Sequence, residues 1–154
     1  MTKTIKFKNN IYLDSTGICR DIITLLMSNG KSGNTSNNIK VPFDRYISVG
    51  KKLSLVDNQV RIGKNIKKVM VSGACFIDTP NNNNYLWLSI KQNDNWVASN
   101  LTAGGMIYKS CSIASRILDV KEGDLIGLYI DNTGGTPYNI RDGHNTYLTV
   151  EVVE

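Results

Sequence analysis

Apolar and polar positions alternate along most of the chain with the two-residue period of extended strands. In residues 66–77 (IKKVMVSGACFI), Val69, Val71, Gly73, Cys75 and Ile77 fall on one face, and Met70, Ser72, Ala74 and Phe76 on the other. Residues 85–91 set Leu86, Leu88 and Ile90 against Tyr85, Trp87 and Ser89, and Asp94-Asn95 predicts a tight turn into Trp96-Val97-Ala98. Residues 110–120 extend again, and KEGD at 121–124 turns the chain. Residues 125–131 then set Ile126, Leu128 and Ile130 against Tyr129, and 146–153 set Leu148, Val150 and Val152 against Tyr147, Thr149 and Glu151. With no helical period between them, these strands predict an all-β antiparallel sandwich.

The first forty residues read differently. Ile18, Ile22, Leu25 and Leu26 are spaced for one face of a short helix over 18–28, with Ser15 or Thr16 as its cap and Asn29-Gly30 as its stop. The following NGKSGNTSNNIK has almost no apolar residue and reads as a flexible linker. The predicted organisation is therefore an attachment or neck segment (1–28), a linker (29–40) and a head domain (41–154).

Composition agrees with a turn-rich β protein. The chain has 154 residues, 41% of them hydrophobic, enough for a real core and too many for a disordered tail. It holds 18 asparagines and 13 glycines against 3 prolines, residues that tolerate left-handed turns. The formal net charge is +5. Lys51, Lys52, Lys64, Lys67 and Lys68 sit where strands should begin, without interleaved aromatics, so they read as surface charge rather than as a nucleic-acid site. No apolar run approaches a membrane span, and the opening lacks an apolar signal core, so neither membrane insertion nor a cleaved signal is expected. Cys19, Cys75 and Cys111 are odd in number and widely spaced, unlike a disulfide framework or a zinc site. Cys75 and Cys111 are expected as small buried hydrophobes.

Candidate chemistry is sparse. His144 is the one histidine; Asp142 stands two residues away, and no G-x-S-x-G nucleophile motif occurs, so no catalytic residue is assigned. Asp78, Asp94, Asp131 and Asp142 fall in turns, where aspartate has backbone reasons to be. Asp131, Asn132 and Asp142 offer oxygen ligands at a spacing that matches no calcium motif, so neither metal nor cofactor is expected. Binding fits better. The loop over 132–145 offers Tyr138 to stack on a sugar ring and Asn139, Arg141, His144 and Asn145 for hydrogen bonds; Trp96 offers a second such surface with the asparagines of 81–84. The bland alternative is that these loops only connect strands. Tyr85, Trp87, Tyr129 and Tyr147 all fall on second faces, as an interface patch would place them, unless they cap the edge of the core.

The order of elements over 45–154 resembles the globular heads of the tumour-necrosis-factor and complement first-component superfamily. The matching stretches are KKVMVSGACFI, NYLWLSIKQNDNWVAS, SIASRILDVKEGDLIGLYIDN and the closing TYLTVEVVE. The resemblance implies a ten-stranded jelly roll that packs as a homotrimer through one sheet. That would bury the Tyr85, Trp87, Tyr129 and Tyr147 faces and bring Ile18, Ile22 and Leu25 of three tails together as a neck. A second stretch, KFKNNIYLDSTGI, is similar to the opening of bacteriophage tail-fibre and receptor-binding proteins. Together the two imply a virion protein made in the host cytoplasm. Its N-terminal segment would bind other virion proteins, and its trimeric head a bacterial surface glycan or protein. A purely structural decoration of the virion and a bacterial surface adhesin stay open as alternatives.

Overall fold

The computed structural model describes residues 20–33, 38–79, 85–102, 104–105, 107–132 and 138–154. Those residues form strands, turns and bends and contain no helix. Alternation sets the architecture. Strand β7 (Lys68–Asp78) sends Val69, Val71, Cys75 and Ile77 inward, and strand β11 (Leu125–Asn132) sends Ile126, Leu128 and Ile130 to meet them. Each fully buried aliphatic side chain contributes about 1.5–3 kcal/mol, so this shared layer holds the two sheets together.

In the first sheet, β7 is flanked by β10 (Tyr108–Asp119) on one edge and β13 (Gly143–Val152) on the other. Beyond β13 come β1 (Ile22–Met27) and β4 (Arg45–Val49), all antiparallel. At the far end of β7 the short strands β12 (Tyr138–Ile140) and β2 (Lys31–Gly33) extend the sheet. The second sheet runs β5 (Leu53–Val56), β6 (Gln59–Ile62), β11, β8 (Leu86–Gln92) and β9 (Asn95–Thr102), with β3 (Ile39–Lys40) paired to β11. This is the expected antiparallel jelly roll. Gly73 allows the two sheets to approach: a Cβ there would meet Leu128 Cδ1 at 2.9 Å and the Tyr147 carbonyl at 3.2 Å.

Asparagine and aspartate make the turns for a stated reason. Asp57-Asn58 and Asn93-Asp94 both lie at positive φ, the backbone that two-residue hairpins need. The β8–β9 turn thus sits on Asn93-Asp94, one residue earlier than Asp94-Asn95.

The N-terminal expectation is corrected. Ile22 and Leu25 are not in a helix or neck; they lie in β1, where Ile22 pairs with Glu151 and Leu25 with Leu148. IITLLM carries apolar residues on both faces because β1 is an interior strand, so its period of two is hidden and its apolar spacing also fits a helix. Ile18 lies outside the described residues. Of the expected neck (1–28) and linker (29–40), Ile22–Met27, Lys31–Gly33 and Ile39–Lys40 are strands paired within the two sheets, while residues 1–19 and 34–37 lie outside the described residues. Leu25→Ala should destabilise the head by about 2–5 kcal/mol, as a fully buried leucine does. Urea unfolding measures it, and a loss near zero would return Leu25 to a neck.

Candidate functional site

The outward face of the first sheet is the most unusual surface of the molecule. Residues directly opposed across a ladder share a face, so the register reads it off. From β4 come Ile47 and Val49; from β1, Ile22, Thr24 and Leu26; from β13, Tyr147 and Thr149. From β7 come Met70, Ser72, Ala74 and Phe76; from β10, Tyr108, Ser110, Ser112 and Ile117. Apolar and small hydroxyl side chains dominate. Ile47 (58%), Tyr108 (58%) and Ile117 (62%) are exposed in the single chain. Thr24 and Thr149 hydroxyls bond each other at 3.0 Å, and the Phe76 and Tyr108 rings stack with centroids 6.3 Å apart. Charges lie at the margins and are mostly neutralised: Arg141 pairs with Asp78 at one end, Arg20 donates to Glu151 at 3.1 Å at the other, and Arg45 stands on the edge strand. Five strands about 4.8 Å apart give a face roughly 20 Å wide, and the twelve residues of β10 span about 36 Å, a scale suited to a stable protein interface.

The outward face of the second sheet is different: several of its polar groups pair with one another. Lys91, almost fully buried, lies 4.7 Å from the centre of the Tyr129 ring and 5.5 Å from that of Trp96, and donates to Asn38 Oδ1. Gln59 Nε2 donates to Tyr129 Oη at 3.2 Å, and that hydroxyl donates to Asp94 Oδ1 at 3.2 Å. Burial, with Asp94 beside it, pushes the Tyr129 phenol up to about 12. Lys40 bridges Asp57 at 2.7 Å and Gln59 at 3.1 Å. Trp87 packs against Trp96 with ring centroids 5.7 Å apart, and the buried Trp87 Nε1 and Ser89 Oγ have no hydrogen-bond partner among the described residues.

The aromatic residues expected to form one interface are therefore divided. Tyr147 faces outward from the first sheet. Trp87 and Tyr129 face outward from the second, on the opposite side of the sandwich, and Tyr85, exposed, precedes β8 in that sheet. Two-residue alternation says which residues share a strand face, but not which sheet the strand joins.

The loop expected to bind sugar is likewise corrected. Tyr138 is 8% exposed and packs in the core at β12, so it has no ring face to offer. Asn139 accepts from Ser32 Oγ at 3.3 Å, and Arg141 is held by Asp78. Residue 144 falls within β13, and the His144 side chain lies outside the described set. Asp131 accepts from the Asn38 amide. Among the described residues proposed for binding, Trp96 is exposed at 57%, and Asn145 is exposed as well.

Sequence reasoning passed over Lys109 and Asp124. Lys109 is buried at the β10 end of the core and donates to Thr79 Oγ1 at 2.8 Å; burial lowers its pKa. Asp124 lines a cleft of about 370 Å³ with Gln92, Asn93, Asp119, Val120 and Lys121. Its carboxylate accepts from Gln92 Nε2 (2.7 Å), Asn93 Nδ2 (2.8 Å) and the Lys121 amide (3.0 Å). It thereby ties the β10–β11 turn to the β8–β9 turn. The cleft is a structural joint, with its carboxylate already occupied.

Comparison with solved structures places the fold. Murine APRIL superposes with a TM-score of 0.64 at 14% identity, covering 87% of this chain and 99% of its own. The Eiger TNF of S. frugiperda superposes with a TM-score of 0.66 at 11% identity, covering 88% and 93%. No family model matches the sequence, and no curated protein matches it. The chain thus has the tumour-necrosis-factor-like jelly-roll fold.

Burial raises the Asp124 pKa, but the hydrogen bonds from Asn93, the Lys121 amide and Gln92 outweigh it, leaving the carboxyl below its ordinary 3.8. A folded pKa below the unfolded one gives stability that is complete above the unfolded value and is lost as pH falls through the folded value. Asp124→Ala should cost about 1–3 kcal/mol at pH 7 and less at pH 2. Urea unfolding at the two pH values checks it, and an equal loss at both would contradict the assignment.

Proposed function

We propose that the chain is the head of a homotrimeric receptor-binding protein, acting by recognition rather than by catalysis. The observation that carries this reading is the outward face of the first sheet. A broad apolar surface with its charges paired at the rim gains by leaving water, and the gain is available to a second copy of the same surface edge. The resemblance to trimeric tumour-necrosis-factor-like heads supports three copies about an axis. Ile117, Tyr108 and Phe76 on the β7–β10 side would pack against a neighbour's Thr149, Tyr147 and Ile47 side.

The wider setting is a virion attachment protein that binds a bacterial surface glycan. Support for the virion comes from KFKNNIYLDSTGI, which lies outside the described residues. Support for a glycan comes from Trp96, an exposed indole whose ring packs against that of Trp87. An indole face stacks on the C–H face of a sugar ring, and three weak sites on one particle bind a dense surface by avidity.

Light scattering after size exclusion should give a mass near three times 17.1 kDa. Ile117→Glu and Tyr108→Glu, at positions exposed in the single chain, should leave the fold intact and yield monomer; a monomeric parent protein would sink the reading. In binding to immobilised bacterial surface polysaccharides, Trp96→Ala should weaken attachment about tenfold while the mass stays trimeric. Unchanged attachment would remove Trp96 from the site.

A further inference from the structure

Cys75 and Cys111 face each other directly across the β7–β10 ladder. Both are free thiols, both are buried, and both belong to the core layer between the sheets. Directly opposed residues in an antiparallel pair have Cα atoms about 4.5–5.5 Å apart, whichever kind of ladder position they occupy. A disulfide spans about 4.4–6.8 Å between Cα atoms. The backbone therefore already holds the two residues on one side of the sheet with their Cα atoms within the span of a disulfide.

We infer that Cys75 and Cys111 are a latent disulfide site that a small-molecule disulfide of the glutathione class oxidises, riveting β10 to β7. The two strands differ in access. β7 is interior, paired on both edges, whereas β10 pairs with β7 alone in its sheet. Opening the edge strand exposes Cys111 first. Its thiolate attacks one sulfur of the oxidant, forming a mixed disulfide and releasing one glutathione thiolate. The Cys75 thiolate then attacks the Cys111 sulfur and expels the second. Two protein thiols are oxidised, one glutathione disulfide is reduced to two glutathiones, and the two protons that the protein thiols give up are balanced by those the released glutathione thiolates take up.

Burial also makes the bridge slow to form. It pushes the Cys75 thiol up to about 12 and raises that of Cys111, so in the closed fold little of either is thiolate. Reaction accordingly follows opening of β10 or occurs while the chain folds. The strands joined are those that carry Phe76, Tyr108 and Ile117 on their opposite face, although the inference stands without any proposal about that face.

The experiment uses the full chain carrying Cys19→Ser, refolded from urea in buffered glutathione disulfide at pH 8. The expected product has lost two hydrogens and yields a Cys75–Cys111 cross-linked peptide on digestion; Cys75→Ala and Cys111→Ala each abolish it. Its thermal midpoint should rise by roughly 10 °C and return on reduction. A product that remains dithiol, stops at a glutathione adduct, or links separate chains would overturn the inference. A bridge that leaves the midpoint unchanged or lower would do the same, because it would show that the pair is not held ready.

Discussion

The central constraint is that β7 is dressed for burial on both sides. Val69, Val71, Cys75 and Ile77 enter the sandwich, while Met70, Ala74 and Phe76 face away from it and are still apolar. A strand with one wet face needs polar residues there. β7 has Ser72 as its concession, and the neighbouring strands answer with Thr24, Thr149, Ser110 and Ser112 rather than with charges. The first sheet is therefore built as a middle layer, with the second sheet covering one side and a hydroxyl-lined apolar surface left on the other.

The second sheet meets the opposite requirement. It faces water with one side and spends its aromatic and charged residues on each other: Lys91 between the Tyr129 and Trp96 rings, Tyr129 between Gln59 and Asp94, Lys40 on Asp57. A buried lysine is tolerated because two ring faces and an amide oxygen replace its water. Much of the aromatic content of this face is thus internal support, while Trp96 and, just before β8, Tyr85 stay open to solvent. An aromatic residue is informative about binding only after its polar neighbours have been accounted for.

How much of this was legible depends on whether a residue's role is set by near or distant neighbours. Alternation in 66–77, 85–91, 125–131 and 146–153 located β7, β8, β11 and β13, because half-buried strands write their two faces into the order of residues. Excess asparagine marked the turns, through its tolerance of positive φ. β1 was misread as helix because an interior strand with apolar residues on both faces loses that alternation. Tyr138 looked like a loop aromatic, but β2 and β12 form a small extension of the first sheet that no local pattern announces. Asp124 looked like an ordinary turn aspartate; its importance lies in Gln92 and Asn93, some thirty positions away. Pairing across the sandwich assigned these roles, and a linear reading has no access to it.

The likeness to murine APRIL and to Eiger TNF at 14% and 11% identity sharpens the same point. What such distant chains can share is the inward alternation and the order of strands, since many different aliphatic residues fill a sandwich core equally well. The outward residues are free of that requirement, so fold likeness carries no partner with it. For this chain the outward residues divide cleanly. One face is apolar and neutralised at its rim; on the other, Lys91, Tyr129 and Lys40 are held by partners within the face. The two kinds of outward surface thus lie on opposite sides of one sandwich, divided by which sheet each strand joins rather than by any local pattern.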